Sequence, residues 1–294
     1  ILVNDASKTA TLNTNVTLQY NTAIVQPDTA ASRYLVSNSG TLNVAGANLT
    51  STISGTTYER AITNASAAQT VVSSGTVKAY GIAIYTTSTN ATTGTPAVKV
   101  TGGTVESTNS NAIYNNAAGL VYITGGTVKV ASTVETAIYN NSTGAITIGA
   151  SGSTSTTSPA ITGRVYGDKT TSGLITVNGG KITATTGSGV VSKGSITING
   201  GAISATSSYA VYATSNADAT LTITGGTIIG TSGLGISNNG TLTLGVNNDG
   251  TISNSTPIIK GETYGIKNYN TFNFYDGVIK GITGAIDGTI TDQE

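Results

Sequence analysis

Apolar and polar residues alternate along this chain in short bursts. Val98-Lys99-Val100, Val121-Tyr122-Ile123, Ile175-Thr176-Val177, Ile196-Thr197-Ile198 and Leu221-Thr222-Ile223 all read apolar, polar, apolar. A period of two marks a strand with one buried face. Each burst runs into a glycine pair or a close variant of one. Two places beyond the second glycine comes another apolar residue: Val77, Val105, Val128, Ile182, Ile203, Ile228, Ile252 and Ile279. A third strand begins with a small residue, then Ile or Val, as in Ala83-Ile84-Tyr85, Ala112-Ile113-Tyr114, Ala137-Ile138-Tyr139, Ala210-Val211-Tyr212 and Gly265-Ile266-Lys267. No stretch carries the 3.6-residue apolar stripe of a helix.

The second glycines, or their equivalents, fall at positions 75, 103, 126, 180, 201, 226, 250 and 277. The spacings are 21 to 28 residues, apart from one gap of 54 that spans two periods and contains the irregular stretch Gly149 to Pro159. A unit of about 25 residues cannot bury its own apolar face, but stacked units share a continuous core. Three short strands and three bends per period predict one coil of a parallel β-helix. The glycines supply positive φ at a bend without steric cost. A β-sandwich also uses short alternating strands, but does not explain why equivalent residues recur at a fixed period.

The pattern predicts a single all-β domain over residues 1–294: a right-handed parallel β-helix of about eleven coils, three strands per coil, with 1–60 irregular and 61–290 regular. The handedness rests on the bias of parallel crossovers and on the resemblance described below. Thr41 to Val44 and Ala61 to Asn64 read as the first and third strands of an early coil. Leu12, Val16, Leu18, Ile24 and Val25 suggest one or two coils before it.

Composition narrows the chemistry. The chain has no Cys and no His, which removes thiolate and imidazole metal ligands, disulfides and histidine-based catalytic relays. Thirteen basic and 13 acidic side chains give zero net charge, so there is no basic footprint for nucleic acid. No long apolar run predicts membrane insertion. About half the chain is Thr, Ser, Asn and Gly. The start at Ile1 and the absence of an evident terminal device read as a fragment of a longer or processed chain.

The repeat Ala-Ile-Tyr-Asn-Asn, a short spacer, then Ile-Thr-Gly-Gly-Thr-Val resembles the β-helix regions of large cell-surface proteins of Gram-positive bacteria. It is also broadly similar to the pectate-lyase-like fold. The resemblance covers 60 to 290 well and 1 to 60 loosely. It implies export, cell-wall attachment and a role as adhesin or stalk, with a host or environmental glycan or surface protein as partner. It carries over no catalytic residues and no cofactor, so the chain is expected not to be an enzyme. The alternatives are a polysaccharide lyase or hydrolase on the same fold, a fibre or spacer segment that associates end to end, and an ice-binding surface.

Several columns are candidates for function. Tyr85, Tyr114, Tyr139 and Tyr212 share an outward position on the third strand, as a platform for a ligand or as a self-packing ladder. Asn115, Asn116, Asn140, Asn141, Asn238 and Asn239 follow that strand, read as turn residues that tolerate left-handed backbone and stack their amides. Thr147, Thr176, Thr197, Thr222 and Thr243 form a ladder on the first strand. The neighbouring row, Gly149, Asn178, Asn199, Thr224 and Gly245, is too irregular for an ice-binding plane. Lys78, Glu106 and Lys129 form a charge-alternating column. Asp249 and Asp276 each replace the first glycine of a pair, a weak candidate for calcium or a carboxylate pair, set against simple Asp-Gly turns. The Gly149 to Pro159 stretch is the one low-complexity insertion, a candidate functional loop or a plain polar one.

Overall fold

The computed structural model describes residues 1–3, 5, 7–20, 33–52, 59–131, 136–170, 174–213, 219–246 and 256–293. These form a parallel β-solenoid without helices, and every pairing between strands is parallel. The strands before the glycines form one face, those after the glycines a second, and those beginning with the small residue a third. In the early coils a single strand, such as Val98–Ser107 or Val121–Val130, runs through the glycine bend and contributes to both of the first two faces. No helix among the described residues is long and apolar enough to cross a membrane.

The third face stacks twelve strands, from Leu2–Val3 to Gly284–Asp287. The expected coil number of about eleven is somewhat off this count. The opening residues form a coil where Leu12, Val16 and Leu18 suggested one: Thr9–Asn13 pairs with Thr41–Val44, and Thr17–Tyr20 pairs with Asn48–Ser51. Ile24 and Val25 lie outside the described residues.

Register explains why the sequence repeats. On the second face Val77, Val105, Val128, Ile161, Ile182, Ile203, Ile228, Ile259 and Ile279 sit one above the next. Ile252 was expected in this column and lies outside the described residues; the position belongs to Ile259. Gly149 to Pro159 leaves the solenoid from a positive-φ glycine and re-enters it at a proline. Gly245 likewise has positive φ, and the described chain resumes at Thr256 and Pro257.

On the third face Ile84, Ile113, Ile138, Val165, Val190, Val211, Ile236 and Ile266 stack in the same way, all fully buried. Each large aliphatic side chain buried this way contributes about 1.5–3 kcal/mol from water exclusion, and the columns merge into one continuous core.

The glycine pair is demanded by the stacking. Gly201 has φ of 84°, and a Cβ there would lie 2.8 Å from the Gly180 carbonyl oxygen. A Cβ on Gly200 would lie 2.7 Å from the Asn178 oxygen of the preceding coil. Positive φ accounts for the second glycine, and the close approach of coils for the first.

Candidate functional site

The third face carries a tyrosine stripe. In each of four successive coils an inward Ile or Val is followed by an outward tyrosine: Tyr85, Tyr114, Tyr139 and Tyr166. Ring centroids lie 5.5, 5.0 and 5.3 Å apart along the series. That spacing follows the coil pitch, and it is the range in which aromatic pairs attract. All four rings are half-buried. Tyr85 and Tyr114 stack at 24° between ring planes, Tyr114 and Tyr139 are tilted at 34°, and Tyr139 meets Tyr166 edge to face at 60°.

Three of the four predicted tyrosines, Tyr85, Tyr114 and Tyr139, belong to this stack. Tyr212 shares the column but not the stack: Val191 stands between it and Tyr166, and its ring packs on Tyr209 at 5.3 Å. Tyr166 was missed because its coil reads Arg164-Val165-Tyr166 instead of Ala-Ile-Tyr. The usable signal was a Val-Tyr pair one period beyond Ile138-Tyr139.

Charged groups close the stack at both ends. The Arg60 guanidinium lies 3.5 Å from the Tyr85 ring centroid, and Arg164 lies 4.8 Å from that of Tyr166. Such cation–π contacts are worth about 0.5–2 kcal/mol each. The Tyr139 and Tyr166 hydroxyls each donate to Asp168, at 2.8 Å, and the Lys193 ammonium reaches the same carboxylate at 2.5 Å. Burial pushes the Asp168 carboxyl up, but Lys193 and the two phenols outweigh it and hold it at about 2. Burial and the bond to Asp168 push the Tyr139 and Tyr166 phenols up. At the other end Asn116 donates to the Tyr85 hydroxyl, 3.0 Å away, and Asn141 donates to Asn116 at 3.1 Å. None of these charged partners was predicted from sequence.

The asparagines divide into two rows. Asn115, Asn140 and Asn238 point inward and are fully buried. Asn115 donates to Asn140 at 3.1 Å and to the Gly119 carbonyl at 2.8 Å; Asn238 donates to Asn268 at 2.7 Å. They satisfy corner carbonyls that would otherwise be buried without partners. The left-handed backbone expected of the asparagines does not occur: the non-glycine residue with positive φ among those described is Ala67. Asn116 is exposed, and Asn141 and Asn239 are half-buried.

Lys78 and Lys129 flank Glu106 at 2.7 and 3.0 Å, as their column predicts. The five threonines from Thr147 to Thr243 pair in register on the first face. Asp276 accepts a hydrogen bond from the Gly277 amide at 2.6 Å, so its carboxylate caps its own turn. Asp249 lies outside the described residues, so the proposed pair is not described. Among the described residues no three His, Cys, Asp or Glu side chains gather as a metal site.

Comparison with known proteins found no matching family model, no similar curated sequence and no similar solved structure. The class of protein is therefore defined by its fold: a parallel β-solenoid repeat protein.

Proposed function

We propose that this solenoid is a structural and adhesive rod of a bacterial cell surface, acting outside the cell without catalysis and without a cofactor. One observation carries the reading: the charged and aromatic groups of the tyrosine stripe and of the Glu106 column are spent on contacts within the rod. Glu106, Asp168 and Asp287 each meet a lysine, and Arg60 and Arg164 lie against tyrosine rings. Asp276 serves its own turn. A glycan-cleaving site needs carboxylates free to face a substrate. A rod needs the arrangement found here. The resemblance of the repeat to bacterial surface β-helix regions supports the location.

The adhesive part of the reading rests on the tyrosine stripe, which offers a glycan or partner protein a row of half-buried rings bracketed by Arg60 and Asp168. The test is a glycan-array and host-protein screen of the wild type beside Tyr114→Ala/Tyr139→Ala. Binding that the double variant loses supports the stripe as the site. Binding by neither sinks it. The packing of the rings on one another favours a second reading, a spacer without a ligand. For that reading the same screen is silent, and the double variant loses stability alone.

A further inference from the structure

The corner between the first and second faces holds a feature independent of the tyrosines. The insertion from Gly149 to Pro159 rises from this corner, and Thr256 and Pro257 stand four coil steps further along it, roughly 19 Å at the spacing of parallel strands. Between them lies a cavity of about 340 Å³. Its floor is bare backbone, Gly200-Gly201 and Gly225-Gly226, where the stacking of coils admits no side chain. Asn199 and Thr224 form one bank and Thr227 contributes to the other. Ser153, Thr154 and Thr156 close one end, and Thr256 closes the other. The insertion is tied down onto its neighbouring coil: the Gly180 and Lys181 amides donate to the carbonyls of Ser155 and Pro159, at 2.7 and 2.8 Å.

The lining selects a class of ligand. Among the described residues that line the cavity none is charged, aromatic or a large aliphatic. An anion or cation would lose its hydration without gaining a counter-charge. An apolar molecule would find no apolar wall. A peptide would find no free strand edge, because the corner amides are already bonded from coil to coil, as Asn199 to Val177 and Thr227 to Gly201. What the walls do offer is hydroxyl groups, each both donor and acceptor. Those of Thr154, Thr156, Thr227 and Thr256 have no hydrogen-bond partner among the described residues. The groups beside them are held in place. Asn199 donates to Asn178 at 2.9 Å, and the Thr224 hydroxyl donates to Asn199 at 3.0 Å, leaving its lone pairs to accept.

We infer that this trough is a binding site for an uncharged oligosaccharide lying along the solenoid axis. A sugar presents the same mixture of donors and acceptors that the walls present. An extended chain of pyranose rings also advances by about one coil per ring, so successive rings meet successive copies of the same corner. The volume is at the lower end of the range for ligand sites, which suits two or three rings.

The experiment is calorimetric titration of the whole chain with a panel of neutral tetrasaccharides from β-glucan, α-glucan, xylan, mannan and chitin. Tetragalacturonate serves as a charged probe of the same length. Saturable binding of at least one neutral probe is expected, with tetragalacturonate weaker. Thr224→Val/Thr227→Val keeps the β-branched shape and removes two hydroxyls, and is expected to weaken that binding by roughly tenfold or more. An unchanged melting temperature confirms that this variant folds. Thr156→Val, in the end wall, is the second variant, expected to weaken binding about threefold. Tyr114→Ala/Tyr139→Ala should leave it unchanged, which separates this site from the stripe. No saturable binding across the panel up to about 5 mM overturns the inference. So does binding that both threonine variants retain, or tetragalacturonate binding as tightly as the neutral probes.

Discussion

Asp168 joins three partners from three coils, so its charge should be measurable as stability. Its carboxyl is held at about 2 against an ordinary 3.8. Each pKa unit corresponds to about 1.4 kcal/mol, so the shift sets a ceiling of about 2.5 kcal/mol. The Asp168 side chain retains 19% of its exposure and Lys193 retains 43%, so solvent screens the pair and about 1 kcal/mol is the better expectation. Asp168→Asn keeps the shape and removes the charge. At neutral pH its melting temperature should fall by about 2–4 °C. The sign of the pH dependence follows from the depressed pKa. The stabilisation is fully present above the unfolded value near 3.8 and is lost as pH falls through the folded value near 2. Wild type and variant should therefore differ at pH 7 and converge as pH falls from about 4 to 2. The assay is thermal unfolding by circular dichroism across that range. Equal melting temperatures at pH 7, or a gap that persists unchanged at pH 2, would refute the reasoning. Tyrosinate absorbance offers an independent check: the variant should bring the Tyr139 and Tyr166 phenols to a lower titration pH.

Three further outcomes follow from the packing. Gly201→Ala meets both positive φ and a coil 2.8 Å away, so it should cost more than about 2 kcal/mol by denaturant titration; Gly152→Ala, with positive φ of 72° and nothing within 4 Å, should cost about 1. Ile138→Ala empties a fully buried position in the third-face column and should cost about 2–5 kcal/mol, whereas Ile282→Ala, 78% exposed, should stay within about 0.5 in the same titration. Asn140 is buried and accepts from Asn115 at 3.1 Å and from Ser142 at 2.7 Å, so Asn140→Ala should cost about 1–3 kcal/mol, read as a lower melting temperature and faster amide exchange at that corner.

Sequence reasoning went furthest where one coil dictates the next. A residue such as Val105 is apolar because Val77 and Val128 are, and that dependence is visible as a period. The period also misleads: Asp249-Gly250-Thr251-Ile252 imitates the repeat in sequence, while register gives the column to Ile259. Tyr166 escaped because Arg164 replaces the small residue that flagged the other coils. Strict alternation already turned Asn115 inward between Tyr114 and Asn116; the turn preference of asparagine drew attention to backbone conformation instead. Arg60 and Asp168 were illegible for another reason. Their partners lie one or more coils away, and the path of a long side chain across a sheet leaves no mark on local pattern. The trough needed Ser153 and Thr256, about 100 residues apart, to be placed on one corner.

The same stacking that stabilises the rod limits where it can bind. A column repeated at coil spacing satisfies its members with one another: tyrosine rings pack on tyrosine rings, buried amides bond amides, and lysines bracket Glu106. Little binding capacity is left along an unbroken column. It reappears where a column is interrupted. The tyrosine stripe ends at Arg60 on one side and at Val191 on the other, and the Asn178–Asn199–Thr224 row is bounded by Gly149, where an insertion leaves, and by Gly245. The row that is too irregular to match an ice lattice is thereby the one that encloses a cavity. A solenoid with Gly149 to Pro159 shortened to an ordinary Gly-Gly bend should keep its fold and melting behaviour and lose the Ser153, Thr154 and Thr156 wall of the trough. Oligosaccharide binding that survives this change would place the site elsewhere on the rod and break the link between interruption and recognition.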